Sequence, residues 1–150
     1  MRGSNPDASF YYLARMLEGG EDPLFIARRM VIFSSEDIGI ADKGALILAN
    51  AAFEATNKVG LPECQLILAH VVTYLAKAPK SRATTNALMK AKQLVVEYPN
   101  EPIPLHLRNA PTKFMKNIGY SKGYKWSDTF VGPTEDQSFL PDRLRDKEIF

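Results

Sequence analysis

Residues 42–79 read DKGALILANAAFEATNKVGLPECQLILAHVVTYLAKAP, and this stretch decides the fold. Asp42 stands where a helix N-cap belongs. Ala45, Leu48, Ala49, Ala52, Phe53 and Ala55 then follow at the three- and four-residue spacing of one helical face. Gly60 stops that helix and Pro62 starts another, which carries Leu66, Ala69, Val72 or Thr73, and Ala76 along one side before Pro79 ends it. Two helices joined by a tight turn, with no alternation of apolar and polar residues, indicate helix packing and exclude a sheet here. The alanines permit close helix–helix approach, and periodicity leaves open whether their seam lies inside one chain or between subunits.

Working outward, the same punctuation recurs on both sides. Asn5-Pro6 reads as an N-cap followed by a first-turn proline, and Gly19-Gly20 closes the helix that carries Phe10, Tyr11, Leu13, Ala14, Met16 and Leu17. Asp22-Pro23 repeats the start signal for a helix that is apolar over most of its circumference, with Arg28 and Arg29 on a polar side, so it is expected to be central. Ser34, Ser35, Glu36, Asp37 and Gly39 interrupt the pattern. After Pro79, Ser81 is placed to cap a fifth helix bearing Ala87, Ala91, Leu94, Val95 and Tyr98, terminated at Pro99. Residues 1–99 therefore read as an all-α bundle of five helices. Residues 100–150 are punctuated by prolines and glycines and read as a mostly irregular tail, with room for a short helix only at 110–118. Ile103, Leu105, Leu107, Phe114, Met115, Ile118, Phe130, Phe139 and Leu140 are apolar anchors by which that tail is expected to wrap the bundle.

The chain's 150 residues and 45% hydrophobic content suit one domain with a tail. A single cysteine, Cys64, excludes an intrachain disulfide and fits a reducing, cytoplasmic compartment. No apolar run reaches membrane-spanning length, and no signal peptide is recognisable at the start. Net charge is only +2, yet it is segregated. Residues 1–76 and 126–150 are each mildly acidic, whereas 77–125 hold ten Lys/Arg against two Asp/Glu. Lys77, Lys80 and Arg82 bracket Pro79, near the carboxyl end of a helix, where its dipole favours cations. Lys113, Lys116, Lys122 and Lys125 interleave with Phe114, Tyr120, Tyr124 and Trp126. Basic groups neutralise phosphates and aromatics stack on unpaired bases. A solvated lysine face beside docking aromatics explains the same pattern.

No Gly-x-x-x-x-Gly-Lys-Ser/Thr loop is present to cradle a nucleotide, and no Gly-x-Ser-x-Gly elbow to carry a nucleophile. One cysteine with His70 and His106 does not make a usual zinc site. His70, mid-helix beside Val71 and Val72, reads as a packed or hydrogen-bonded core histidine. Glu36 and Asp37 could be paired catalytic carboxylates, but capping the next element or binding an arginine such as Arg28 or Arg29 is the simpler reading. The chain alone is thus read as no enzyme, with no catalytic, cofactor-binding or metal-ligating residue.

Several stretches together resemble the MgsA/RarA family of AAA+ ATPases. They are Arg2–Ala8, Tyr11–Pro23, Phe25–Arg29, Ser35–Gly39, Tyr74–Ser81, Pro104–Ala110, Gly119–Tyr124 and Phe139–Asp142. They occur in the family's order over nearly the whole chain, so Met1–Ser4 reads as family sequence cut at an internal position and not as a tag. The resemblance implies the clamp-loader-collar-like C-terminal part of a replication-associated recombination factor, a family whose eukaryotic relative is the Werner helicase-interacting protein. It implies an ATPase part before this segment that uses ATP and Mg²⁺ and depends on DNA. It further implies a homotetramer, single-stranded or forked DNA and single-stranded DNA-binding protein as partners, repair at stalled forks, and a nucleoid-associated place in the cytoplasm. On this reading Ala49, Ala52, Phe53 and Leu66 belong to the subunit interface. Lys80, Arg82, Lys113, Lys116, Lys122, Tyr124 and Lys125 are the candidates for touching DNA.

Overall fold

Side chains that bind the first free N–H groups set the helix starts. In the computed structural model, which describes residues 1–126 and 137–150, Asn5 accepts from Ala8 N–H at 2.9 Å and opens α1, Pro6–Glu18. Asp22 accepts from the N–H groups of Leu24 and Phe25 and opens α2, Pro23–Phe33. Asp42 accepts from Gly44 N–H at 2.8 Å and opens α3, Lys43–Val59. Each cap satisfies a donor that the helix itself leaves unpaired. Gly60, with φ of +75°, supplies the left-handed turn that ends α3 before α4, Cys64–Lys77. Ser81 Oγ accepts from Ala83 N–H as α5, Ala83–Glu97, begins. The described residues are helical or irregular and contain no strand, so the chain is all-α as expected.

The chain forms two compact units, Met1–Met89 with Phe150, and Lys90–Ile149. The division falls inside α5, earlier than the change of character at Pro99.

In the first unit α4 is the hub, packing against α1, α2 and α3. It sends Leu68, Val71, Val72 and Leu75 into the core, where they meet Ile26, Ala27, Met30 and Phe33 of α2 and Ala45, Ala49 and Ala52 of α3. The centre of the bundle is therefore α4, not α2. Although α2 is apolar in most directions, Phe25 and Ile32 face outward. A full side chain such as Leu68 or Leu75 contributes about 1.5–3 kcal/mol on burial. Of the four alanines on this face of α3, Ala45, Ala49 and Ala52 lie in the core of this unit and Ala55 is half-buried.

In the second unit Leu94 and Leu144 are buried. The Tyr98 ring lies under Arg143 and Lys147, at 5.0 and 5.9 Å, and Arg143 also pairs with Glu101 at 2.9 Å. A short helix α6, Lys113–Asn117, falls inside the expected 110–118, with Thr112 Oγ1 accepting from Met115 N–H. The apolar anchors behave otherwise than expected. Ile103, Leu105, Phe114, Ile118 and Phe139 are exposed, and Phe130 lies outside the described residues. Among the described residues no helix is long and apolar enough to cross a membrane.

Candidate functional site

The stretch Ser34-Ser35-Glu36-Asp37-Ile38 does not end α2 but continues it as a π turn, followed by a 3-10 turn at Gly39–Ala41. π turns carry one extra residue in the ring and often re-aim side chains at functional positions. Here the turn buries Asp37 and Ile38 while Glu36 stays half-exposed. Arg2 donates to Asp37 through Nε and Nη2, both at 3.0 Å, and its Nη2 lies 3.7 Å from Glu36 Oε1. Arg82 reaches the same Glu36 oxygen at 3.4 Å. The main chain completes the latch: Ser81 N–H donates to the Asp37 carbonyl at 2.8 Å, and Thr85 Oγ1 donates to the Glu36 carbonyl at 2.9 Å. Gly39 is required twice, by its φ of +53° and because a Cβ there would lie 3.2 Å from the Ser81 carbonyl.

The two carboxylates are thus engaged structurally, as expected in kind, but with different partners. They hold Arg2 and Arg82, whereas Arg28 pairs with Asp22 at 3.5 Å. The hydrogen bond and charge of Asp37 hold the Arg2 pKa above the ordinary arginine value. Asp37→Ala removes the buried acceptor, and the expected loss is about 1–3 kcal/mol of stability. Urea unfolding followed by circular dichroism measures it. A change within a few tenths would mean the latch is no more than a surface ion pair.

His70 contradicts its expectation, because it is exposed and not in the core. It lines an open cleft with Asp42, Thr73, Tyr74 and Lys77, all beside the start of α3 and the end of α4. Tyr74 donates to the Asp42 carboxylate at 2.8 Å, which raises the phenol pKa. The α4 backbone accounts for the difference. Val71, Val72 and Leu75 take the inward positions, which turns residue 70 outward. Cys64 is fully buried, and desolvation raises its thiol pKa, away from reactive thiolate.

The four interface candidates separate. Ala49, at 0% exposure, and Ala52 have their side chains enclosed within the first unit, and Phe53 packs half-buried on its core. Leu66 is 77% exposed. Sequence periodicity missed another surface. Along α5, Leu88, Met89, Val95 and Val96 are all exposed, Val96 at 79%, and their spacing sets them along one side of the helix. The signal was legible in part, since α5 has more apolar positions than one buried stripe needs.

The seven DNA candidates separate as well. Lys80 donates to the carbonyls of Ala76 and Ala78 at the end of α4 and lies 6.0 Å from the centre of the Phe33 ring, so it closes that helix. Its burial lowers its pKa, opposed by the charge of Asp37. Arg82 is occupied by Glu36. Lys113 and Lys116 are exposed on α6, Lys122 and Lys125 are exposed in the turn beyond it, and Tyr124 meets Trp126 edge to face at 5.3 Å.

These features define a helical module with an internal carboxylate latch, an uncovered apolar helix side and a separate basic turn. The family described as MgsA AAA+ ATPase C terminal matches residues 3–150, and the chain belongs to this family. It is 45% identical over 145 residues to replication-associated recombination protein A of Coxiella burnetii, covering 96% of this chain and 33% of that protein. It is 41% identical over 151 residues to ATPase WRNIP1 of Dictyostelium discoideum, covering 100% of this chain and 17% of that protein. An uncharacterized protein of Thermotoga maritima is 47% identical over 150 residues, covering 100% of this chain and 24% of that protein. The chain thus spans a third or less of the length of these relatives.

Proposed function

We propose that this chain is the assembly module of a AAA+ ATPase acting in replication-associated recombination, and that it holds four subunits together. The carrying observation is the exposed apolar side of α5, Leu88, Met89, Val95 and Val96. Large contiguous apolar surface on a soluble protein marks an interaction site. Leu66 on α4 and Leu46 and Ile47 on α3 add apolar surface of the same kind. Ala49 and Ala52 take no direct part. In the whole protein, ATP and Mg²⁺ are used by the ATPase part, and the DNA-dependent activity belongs there.

Light scattering of the intact chain over a concentration series tests the reading. The expected mass is four times 16.8 kDa, falling toward 16.8 kDa in Leu88→Glu/Val96→Glu, with helicity by circular dichroism unchanged. A wild-type mass that stays at 16.8 kDa at high micromolar concentration sinks it.

A second reading, favoured by the exposed basic residues of α6 and the turn after it, is contact with single-stranded or forked DNA through segment 77–125. Lys113, Lys116, Lys122, Tyr124 and Lys125 carry it, while Lys80 and Arg82 shape the fold. Affinity for single strands is expected to fall steeply between roughly 50 and 200 mM salt, as phosphate neutralisation requires. Absence of binding at low salt removes the reading. A tetramer would multiply weak contacts by avidity, so the two readings support each other. Single-stranded DNA-binding protein as a partner, and a nucleoid-associated place in the cytoplasm, accord with both.

A further inference from the structure

The turn after α6 is unusually well fixed for an exposed loop. Ser121 and Gly123 both adopt left-handed backbone, with φ of +60° and +76°, on either side of Lys122. Ser121 N–H donates to the Leu105 carbonyl at 3.1 Å, and its Oγ donates to the Arg108 carbonyl at 2.7 Å. A non-glycine residue in left-handed backbone is uncommon, and these two bonds hold it there. The turn forms one wall of an open cleft of about 280 Å³ within the second unit. His106 and Arg145 stand on its other sides. The buried Gln137 side chain braces it, accepting from Lys125 N–H at 2.8 Å and donating to the Lys125 carbonyl at 3.4 Å. His106 is fixed by Nε2, which donates to the Ser138 carbonyl at 2.8 Å.

Among the described residues, neither Lys122 nor Arg145 has an ion-pair partner, although both line this cleft. Asp142 is the one carboxylate in the described lining, and it does not balance two cations. A guanidinium fork and an ammonium point charge lining one braced polar hollow suit the oxygens of a phosphate group. We propose that this cleft seats a phosphate, held by Lys122 and Arg145. Under the DNA reading above, on which this assignment partly rests, the phosphate is one link of a single strand. The bases next to that link reach the Tyr124–Trp126 pair beside the turn, where aromatic faces offer sequence-tolerant stacking.

The intact chain is titrated with a short oligothymidylate at several salt concentrations, followed by Trp126 fluorescence and by the amide resonance of Gly123. Inorganic phosphate and pyrophosphate are titrated in parallel. The expected result is that Lys122→Gln/Arg145→Gln reduces the salt slope by about one, weakens oligothymidylate roughly tenfold and abolishes the Gly123 response. Lys43→Gln/Lys58→Gln, at two exposed positions of α3, is expected to leave that response in place. Should the wild-type chain bind oligothymidylate and Lys122→Gln/Arg145→Gln bind it equally, the seat is overturned and the DNA reading survives. If oligothymidylate fails to bind but the inorganic anions shift Gly123 in wild type and not in the double variant, the DNA reading fails. The seat then stands for free phosphate. No response to either ligand overturns the seat. Unchanged amide resonances away from the cleft confirm that the variants fold.

Discussion

Leu68→Ala is expected to lower the unfolding free energy by about 2–5 kcal/mol, the largest effect of any single substitution considered. Leu68 is fully buried on α4, the helix that touches α1, α2 and α3, so its removal opens a void that no single neighbour fills. Both the transfer energy of the lost methyl groups and the residual cavity contribute. Chemical denaturation followed at the helical signal measures it, and a loss below about 1 kcal/mol would mean that the bundle collapses onto the gap.

Ala49→Leu is expected to destabilise the chain by about 1–3 kcal/mol or more through overpacking. Ala49 has no exposed surface and sits where α3 closes on the rest of the core. The result also settles where the alanine seam acts. A seam inside one chain predicts the same loss at every protein concentration. A seam between subunits predicts a loss that depends on concentration and a changed mass by light scattering. The first outcome is expected.

The helices were legible because their ends are written in short-range chemistry. Asn5, Asp22 and Asp42 each bond N–H groups two or three residues on, and Gly60 takes a left-handed turn, so neither depends on the rest of the fold. What was not legible depended on which side of a helix finds a partner. His70 looked central beside two valines, but the inward arc of α4 was already filled by Val71, Val72 and Leu75. Val95 follows Leu94 directly yet is exposed, because α5 buries only Leu94. Glu36 and Asp37 bind arginines, one of the two structural readings the sequence left open, but the partners are Arg2 and Arg82 and not Arg28 or Arg29; they lie 35 and 46 residues away in sequence, beyond the reach of any local pattern. The basic candidates divided for the same reason. Lys80 and Arg82 are adjacent to groups that use them, whereas Lys122 sits in a turn held away by hydrogen bonds to residues 105 and 108.

The π turn at Ser34–Ile38 has a consequence for the lengths this chain tolerates. A π turn differs from an α turn by one residue, and each residue on an α-helix advances the face by about 100°. Deleting one residue there would regularise the helix at little local cost, but would rotate the acids that follow by about that angle, away from Arg2 and Arg82. Shortening this segment by one residue would therefore break the latch even with every side chain kept, and the spacing from Asp22 to Asp37 acts as a molecular ruler set by a single surplus residue.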